Sequence, residues 1–337
     1  MVSNIGIIGL GLIGGSLARR LVDRGVNVVA WNHRPHPYAQ AEADGIRCVP
    51  SLAQLVAAEP DIIVLCNPLK AMPAILGALQ PLLDAHPDIT LTDVGSVKGM
   101  VRQQIEEAGL SEQYVGAHPM AGNEHSGWQA ADPHLYDGAL WAITVDERTD
   151  YVRFAAVAQL ICGAIGNRLI VVDDDSHDKA AAMISHMPHA VSTALINELV
   201  ANPDRNIAAA LAAGSWRDMT RVALTDPERT RAMIEEDAVN VEELLRHMAA
   251  RLTDIADHLH DGNERAIGEF FAAGDPFRAY KAAVNAGAEA SRHTMLIPEH
   301  GWQQALLESA RRGEAIIALN AAGSERTATV VQQPAMR

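Results

Sequence analysis

The 337-residue chain is poor in aromatic residues and has no long apolar segment. Phe, Tyr and Trp make up only 4% of it, whereas its second half is rich in alanine, a composition that favours closely packed helices. No apolar run reaches the roughly 18 residues that a membrane-spanning helix needs, and the N-terminus lacks the basic region of a signal peptide. We therefore expect a soluble, cytoplasmic protein with no membrane partner.

Cysteine is also scarce, and Cys48, Cys66 and Cys162 are widely separated along the chain. Their number is odd and no CxxC pair occurs, so neither a disulfide framework nor a cysteine-based metal site is expected. The sequence indicates three reduced thiols and no bound metal.

Positive charge is limited as well, because 27 Lys and Arg residues stand against 42 Asp and Glu residues, which gives a net charge of −15. Nucleic-acid binding needs clustered basic residues to neutralise phosphates, and the sequence has no such cluster. We expect a small-molecule substrate and no nucleic-acid partner. If that substrate is an anion, a few local arginines must hold it.

The N-terminal segment "NIGIIGLGLIGGSLARRL" places Gly9, Gly11 and Gly14 at GxGxxG spacing between a strand-like run and an amphipathic helix. A dinucleotide-binding motif requires this context, with glycines for the tight turn, the approach of the pyrophosphate and helix–strand packing. Leu12 and Ile13 begin the helix, where unpaired N–H groups favour anions. A glycine-rich turn without a ligand is the alternative.

Apolar runs alternate with helical patterns through the first half of the chain, which favours a parallel sheet covered by helices on both faces. After the N-terminal run, the predicted strands cover residues 26–31, 61–66, 89–94, 114–118 and 140–145. Ligands of such sheets bind beyond the carboxyl ends of the strands. We predict an α/β Rossmann-type dinucleotide-binding domain over residues 1–173, which is long enough for one such domain.

The residues after the second strand bear on the choice of cofactor. An acidic side chain usually stands there when the ribose 2′-hydroxyl is free, but this sequence has Asn32, His33 and Arg34. Because an arginine suits a 2′-phosphate, the sequence favours NADP; NAD, use of both, or a merely solvated Arg34 are the alternatives. We also place Asn67, just past the strand at 61–66, among the cofactor-binding residues.

Strand patterns end near residue 175, and helical spacing continues to about residue 285. Asp226 and Pro227 are typical of a helix start, with a capping carboxylate followed by a proline at the first helical position. We predict an all-α domain over residues 174–285. Because a helical domain after a dinucleotide fold often forms a dimer core, we expect a homodimer.

Two histidines of this region share a helix face with an acidic residue. His186 and His189 are three residues apart, and Asp178 lies eleven residues before His189, close to three full turns. Pro188, between the histidines, predicts a kink. The pattern favours a ligand-binding pair over interior histidines, and neither a cysteine nor an HExxH motif supports zinc.

Polar residues are concentrated in two further segments, "GAHPMAGNEHSGW" at 116–128 and "GSWRDMTRVALTDP" at 214–227. The first has neither helical nor strand periodicity, which is typical of a loop that positions chemistry. In the second, Arg217 and Asp218 predict a structural ion pair, whereas Arg221 is the candidate for a bidentate clamp on a substrate carboxylate.

Together with "GLGLIGGSL", "TDVGSVK" and "HDKAAAMISHMPH", these segments resemble the prephenate and arogenate dehydrogenases of tyrosine biosynthesis in order and spacing. The resemblance covers roughly residues 4–260. It implies an oxidative decarboxylation that converts prephenate to 4-hydroxyphenylpyruvate and carbon dioxide while NAD or NADP is reduced.

The resemblance also implies roles for residues of the first domain. His118 corresponds to the catalytic base that accepts the proton of the ring hydroxyl, a role that a neutral imidazole can fill at cellular pH. Ser96 matches the serine that orients this hydroxyl. Lys98 is similar to a lysine near the cofactor side of the site, and we place it among the substrate-binding residues.

In the helical domain, Arg221 matches the arginine that holds a substrate carboxylate. His189 matches the histidine near the pyruvyl side chain, and His186 lies one turn away as its support. Glu124 resembles an acidic residue that pairs with the arginine and gates entry. Both histidines would offer hydrogen-bond donors to the keto group, which favours prephenate over arogenate.

Two other functional classes stay open from the sequence. A cofactor-binding regulator without catalysis would lack the base or the clamp, yet His118, Ser96 and Arg221 are present. A hydroxyacid dehydrogenase of similar domain plan would need a catalytic lysine in the helical domain, where the segment 212–227 has none.

The C-terminal segment departs from the relatives that carry a regulatory domain. Residues 286–337 are too few for a complete ACT-type domain, and "SERTATVVQQPAMR" is loosely patterned. We predict a short helix followed by a disordered end.

Overall fold

The computed structural model describes residues 3–286, 291–320, 325–332 and 334, which belong to two compact units. The first unit contains the chain up to His177 together with Arg292–Gln332, and the second contains Asp178–Ser291. The predicted boundary at residue 174 lies close to this division. The C-terminal segment, in contrast, is part of the first unit.

A five-stranded parallel sheet forms the N-terminal half of the first unit, with strand order β3-β2-β1-β4-β5. Its strands are β1 (Asn4–Ile8), β2 (Asn27–Trp31), β3 (Arg47–Cys48), β4 (Ile62–Leu65) and β5 (Thr90–Asp93). The intervening helices are α1 (Leu12–Asp23), α2 (Tyr38–Ala43), α3 (Leu52–Val56), α4 (Met72–Leu83) and α5 (Lys98–Glu107). This is the Rossmann-type order, in which the chain first adds strands on one side of β1 and then, from β4, on the other side.

Alternate residues of β1 enter two separate cores, which explains why the strand reads as a continuous apolar run. Ile5 and Ile7 pack with Leu17 of α1 in one core, whereas Ile8 joins the other core with Leu79 of α4. A sheet covered on both faces excludes water from every side chain of its central strands. The predicted parallel α/β architecture is thereby confirmed.

A second, six-stranded sheet completes the first unit, in the order β6-β7-β8-β10-β11-β9. Its strands are β6 (Gly116–Pro119), β7 (Leu140–Thr144), β8 (Arg168–Val172), β9 (Arg292–Leu296), β10 (Glu314–Asn320) and β11 (Thr327–Gln332). Strand β7 is parallel to β8 but antiparallel to β6, so the prediction that both belong to one parallel sheet was wrong. The connection between β6 and β7 has only short 3-10 turns, and without a crossover helix it brings the chain back antiparallel.

The C-terminal segment is folded into this second sheet. Strand β10 pairs with β8 through Ile316 and Leu169, and α15 (Trp302–Arg311) places the Trp302 ring 4.8 Å from that of Phe154 on α6 (Tyr151–Gln159). The predicted helix is present, but the expected disordered end is wrong for the described residues, because β11 is paired on both sides. Pairing with neighbouring strands orders a segment whose own sequence pattern is weak.

The second unit is helical in its described part. Its helices after α7 (Asp174–Ala181) are α8 (Met187–Ala201), α9 (Arg205–Leu211), α10 (Gly214–Thr220), α11 (Pro227–Glu236), α12 (Ala238–His260), α13 (Glu264–Ala272) and α14 (Asp275–Asn285). The predicted start at Asp226 is confirmed, since its carboxylate accepts a 3.0 Å hydrogen bond from Arg229 N. A π-helical turn at Ala182–His186 separates α7 from α8 just before Pro188, where the sequence predicts a kink.

All three cysteines are free thiols. Burial raises the pKa of the Cys48 thiol to about 11 and that of Cys162 to about 12, so both stay protonated at neutral pH.

Among the helices in the described ranges, none is long and apolar enough to span a bilayer.

Candidate functional site

The glycine motif forms a tight cradle at the carboxyl end of β1. Gly9 has a φ of 107°, and a Cβ there would lie 2.8 Å from the carbonyl oxygen of Cys66. A Cβ on Gly14 would lie 2.0 Å from the carbonyl oxygen of Gly9, so helix and strand touch at this point. Beside Gly11 no atom lies within 4 Å of the Cβ position. Two glycines are thus needed for packing, whereas Gly11 faces open space suited to a pyrophosphate.

The first turn of α1 provides hydrogen-bond donors for that space. Gly11 is the N-cap and its residue type offers no side-chain cap, so the amide groups of Leu12 and Ile13 have no partner in the preceding turn. Asn67 adds a buried Oδ1 atom with no hydrogen-bond partner among the described residues. Unused donors at a helix N-terminus and an unused acceptor just past the end of β4 fit a dinucleotide.

Asn32 supports the glycine loop. Its Oδ1 accepts a 2.8 Å hydrogen bond from Leu10 N, and its Nδ2 donates to the carbonyl oxygen of Arg34 at 2.7 Å. Both ends of the amide are therefore used inside the protein. The side chains of His33 and Arg34 are exposed beyond β2, where a ribose or its phosphate would lie in this fold.

His118 lies beyond the carboxyl end of β5, on the side of the sheet where the cradle opens. Tyr114 forms a parallel bridge with Leu91 of β5, and the chain then runs past the end of that strand at Asp93. The half-buried His118 follows on β6, opposite Ala142 of β7. Strand pairing on a rigid sheet therefore sets the backbone position of the candidate base.

The ring of His118 contacts a second histidine that the sequence patterns did not identify. His118 Nδ1 and His177 Nε2 are 2.9 Å apart, and the two rings meet at 68° with centroids 5.1 Å apart. His177 is on α7 and only 4% exposed. His177 is the first residue of the segment "HDKAAAMISHMPH", but no spacing rule links it to His118.

Lys98 is enclosed in a buried cluster directly behind His118. Its ammonium group pairs with Asp93 and donates to the carbonyl oxygen of Ala117 at 2.9 Å, and both charged side chains are fully buried. Asp93 also accepts hydrogen bonds from Tyr114 Oη at 2.9 Å and from Ala117 N at 3.2 Å. Lys98 thus uses its charge to hold the residue before His118, and its expected contact with substrate stays a prediction.

Burial and the nearby Asp93 carboxylate hold the pKa of the Tyr114 hydroxyl well above its ordinary value. Tyr114 therefore remains a neutral donor to Asp93 over the whole physiological range.

Ser96 is half-buried in the short connection between the end of β5 and α5. The order strand, Ser96, helix is that of a ligand-binding loop in a parallel sheet.

The segment 116–128 is fixed at both ends. It begins on β6 and ends at Trp128, which is 2% exposed and packs so closely on Gly15 that a Cβ there would lie 2.9 Å from the indole ring. The Arg19 guanidinium lies 4.3 Å from the centroid of the same ring. The helix that bears the glycine motif thereby anchors the loop that bears His118.

Glu124 lies in the exposed middle of that loop, 3.7 Å from His125 Nε2. It borders a depression of about 490 Å³ that is also lined by Ser126 and Gln129. The carboxylate is accessible at the surface of the first unit, as a gating role would require.

In the helical unit, His186 and His189 differ more than the sequence suggests. His186 is fully buried, and its Nδ1 lies 2.8 Å from Asp237 Oδ2, so its support of His189 at the substrate stays a prediction. His189 is half-buried, and its Nδ1 donates to the carbonyl oxygen of Ser185 at 2.9 Å. The π-helical turn lengthens one turn between Asp178 and His189, so the regular helical stripe is not maintained.

The arginines of the second unit follow the predicted division. Arg217 and Asp218 form an exposed ion pair at 3.6 Å. Arg221 begins the turn after α10 and its side chain is exposed.

Among the described residues, no group of three or more His, Cys, Asp or Glu side chains is arranged to hold a metal ion.

Comparison with known proteins assigns the chain to a family. Residues 17–171 match the model of the prephenate dehydrogenase nucleotide-binding domain, and residues 173–273 match that of the prephenate dehydrogenase dimerization domain. This chain belongs to the prephenate dehydrogenase family. Its first unit is a nucleotide-binding domain, its helical region is the dimerization domain, and the family is one of oxidoreductases.

Individual relatives agree with this assignment. A cyclohexadienyl dehydrogenase of Zymomonas mobilis is 30% identical over 74% of this chain and 86% of its own length. A prephenate dehydrogenase of Lactococcus lactis is 28% identical over 81% of this chain and 75% of its own.

Two solved structures are similar over most of the chain. Prephenate dehydrogenase from Aquifex aeolicus, in complex with hydroxyphenyl propionate and NAD⁺, has a TM-score of 0.75 and 28% identity, and covers 83% of this chain and 98% of its own. Synechocystis arogenate dehydrogenase has a TM-score of 0.71 and 27% identity, with 82% and 99% coverage.

Proposed function

We propose that this protein oxidises and decarboxylates prephenate to 4-hydroxyphenylpyruvate with a nicotinamide dinucleotide as oxidant. The observation that carries the proposal is His118, held on β6 beyond the carboxyl end of the dinucleotide-binding sheet. The family assignment and the NAD⁺ complex of the similar Aquifex aeolicus enzyme support the same reaction.

The reaction follows from the position of one base. A bound nicotinamide dinucleotide would supply the oxidant, to which the ring carbon that carries the hydroxyl group would lose its hydride. His118 takes the hydroxyl proton, so that the oxygen becomes a carbonyl as the hydride leaves. The bond to the ring carboxylate then breaks, carbon dioxide departs, and the bonding electrons make the ring aromatic. His118 returns the proton to the phenolate oxygen, and the gain of aromaticity makes the sequence effectively one-way.

Other residues bind and orient the substrate in this proposal. Ser96 orients the ring hydroxyl, and Arg221 binds a substrate carboxylate through its planar pair of N–H donors. Glu124 gates entry from the exposed loop. Asp93 and Lys98, which are fully buried, hold the backbone of Ala117 next to His118.

Arogenate is the second candidate substrate, and the partner of His189 favours it. Because Ser185 O can only accept, His189 Nδ1 must donate to it, and the neutral ring then presents Nε2 as an acceptor. An acceptor suits the ammonium group of arogenate better than the keto oxygen of prephenate. The expected pair of donors is therefore missing, and prephenate is supported by the family rather than by these histidines.

An assay of the purified protein with each substrate and each cofactor tests the proposal. We expect 4-hydroxyphenylpyruvate and stoichiometric carbon dioxide from prephenate, with kcat/KM higher than for arogenate. Preferential formation of tyrosine from arogenate would overturn the choice of substrate but not the chemistry. No turnover of either compound with either cofactor would sink the whole proposal.

NADP is our proposed cofactor preference. Both ends of the Asn32 amide are used inside the protein, by Leu10 N and by the carbonyl oxygen of Arg34, and the Arg34 side chain is exposed where a 2′-phosphate would lie. Arg34→Ala should weaken NADP⁺ binding at least about tenfold while NAD⁺ binding changes less than about twofold. Equal losses for the two cofactors would contradict the preference.

We further propose that the protein forms a homodimer through its helical unit. Large apolar side chains are exposed along its last three helices. They are Val239, Leu252, Leu259, Phe270, Phe271, Phe277 and Val284. Such a set is more than a monomer normally exposes to water. Light scattering should give twice the chain mass of 36.1 kDa.

A further inference from the structure

We propose that His177 is a positioning residue that keeps the His118 ring in one tautomer, with hydrogen on Nδ1 and the lone pair on Nε2. The inference rests on the proposed role of His118 as base. It starts from the 2.9 Å contact between His118 Nδ1 and His177 Nε2, which is short enough for a hydrogen bond.

One nitrogen of the contact must donate and the other must accept. If His177 donates, Nδ1 of His118 is the acceptor, and a neutral His118 ring then carries its hydrogen on Nε2. Such a ring cannot take a proton at Nε2. If His118 donates instead, Nε2 holds a lone pair and can accept the hydroxyl proton. Only the second arrangement gives a base that points its lone pair away from His177.

Hydrogen bonds and strand pairing hold the backbone around His118 in place. Ala117 N donates to Asp93 Oδ1 at 3.2 Å, and Ala117 O accepts from Lys98 Nζ at 2.9 Å. His118 itself is paired with Ala142 across the sheet. The imidazole can therefore turn about its side-chain bonds, but its attachment point is fixed.

Hydrogen bonds in the first turn of α7 hold the backbone of His177. Asp173 accepts hydrogen bonds from Ser176 N at 2.7 Å and Ser176 Oγ at 2.9 Å, and its carbonyl oxygen accepts from His177 N at 3.0 Å. Asp174 is paired with Arg102 of α5, which ties this first turn to the nucleotide-binding sheet. With both backbones held, the 2.9 Å contact fixes how the two rings face each other, and the role of His118 as base assigns the donor to its Nδ1.

The same contact serves after proton transfer. An imidazolium donates from both nitrogens, so protonated His118 keeps its bond to His177 Nε2 without any rearrangement. At 4% exposure, His177 is shielded from water, which would otherwise compete for this bond. A fixed acceptor behind the base is how a carboxylate orients the histidine of a catalytic triad; here a second imidazole takes that place.

Nitrogen-15 NMR of the full-length, histidine-labelled protein tests the tautomer directly. The His118 signals are assigned by their loss in His118→Asn. We expect Nδ1 of His118 protonated and Nε2 unprotonated in the wild type, and a shift towards Nε2–H in His177→Ala. His177→Gln places an amide oxygen near the original Nε2 position and should restore the wild-type pattern. The exposed His300 gives a control variant, His300→Asn, which should change neither pattern nor rate.

Kinetics give the second readout. His177→Ala should lower kcat at least about tenfold, with the KM for cofactor changed less than about twofold, and His177→Gln should recover most of kcat. An Nε2–H tautomer in the wild type, or unchanged tautomer and kcat in His177→Ala, would overturn the inference. If instead His118→Asn stays fully active while the tautomer depends on His177, the proposed base is wrong and the contact has only a structural role.

Discussion

The sequence predicts functional roles for three histidines, and the structure gives their ring nitrogens different partners. His118 meets another histidine, His186 meets Asp237, and His189 meets a backbone carbonyl. A sequence pattern can indicate which histidines lie near a site, but each ring's donor or acceptor role is set by residues distant in the chain. For this reason His118 could be named in advance, whereas His177 could not.

The glycine motif allows packing and binding to be separated by two matched variants. Gly11→Ala adds a methyl group to open space, so the thermal midpoint should hold while cofactor affinity falls at least about tenfold. Gly14→Ala forces its methyl group against the backbone of Gly9 and should cost about 1–3 kcal/mol of stability. Calorimetry for stability and fluorescence titration for binding measure both. Loss of stability in Gly11→Ala with intact binding would argue against the cradle.

Arg221 and Arg217 form a second matched pair at this scale. Arg221→Ala should raise the substrate KM, costing about 2–5 kcal/mol because a substrate carboxylate is left unpaired, with cofactor binding unchanged. Arg217, already paired with Asp218, is the control and should tolerate alanine with little effect. Initial rates over a range of substrate concentrations decide the matter. An unaltered KM in Arg221→Ala would remove it from the clamp.

At the scale of elements, local patterns predict strands well but not their partners. The runs at 114–118 and 140–145 are strands, as the sequence predicts. Their antiparallel pairing depends on a connection without a crossover helix, and their sheet is completed by β10 and β11 from the far end of the chain. Pairing between segments so far apart in sequence leaves no periodic signal in either one.

Glu314, the first residue of β10, provides a pH-dependent prediction. Hydrogen bonding from Arg312 holds the pKa of the Glu314 carboxyl below its ordinary value of 4.5, and Ser309 Oγ also donates to it at 2.6 Å. Because the folded pKa is depressed, this stabilisation is present above the unfolded value and is lost as pH falls through the folded one.

Glu314→Gln should therefore lower the free energy of unfolding at pH 7 by about 1–3 kcal/mol. The difference from wild type should shrink when urea unfolding is repeated at about pH 3. The exposed Glu299 provides a control, since Glu299→Gln should change little at either pH. A Glu314→Gln deficit that is equal at both pH values would show that the charge is not what stabilises this turn.

At the scale of the whole molecule, the protein and its candidate substrate are both negatively charged, so binding depends on local positive charge. The net charge is −15, and prephenate is itself an anion. Within the described residues, the cationic groups that are fully committed to internal pairs include Lys98 and Arg102, whereas Arg221 and Arg34 are exposed. Anion binding thus depends on a few positions and not on the overall field.

The sequence predicts the domain organisation only in part. The two main segments of the chain are recognisable because the first alternates strand and helix periods and residues 178–286 are helical. The return of residues 292–332 to the first unit is not, because their ordering depends on packing such as that of Trp302 against Phe154. Core contacts between distant segments decide that part of the fold.

The central claim is that His118 accepts the hydroxyl proton during hydride transfer, and the most direct measurement compares wild type with His118→Asn. Both proteins are assayed with prephenate at saturating cofactor, and cofactor affinity is measured separately. We predict that kcat falls at least about a hundredfold while the Kd for the cofactor changes less than about twofold. A variant that forms 4-hydroxyphenylpyruvate at close to the wild-type rate would contradict the claim.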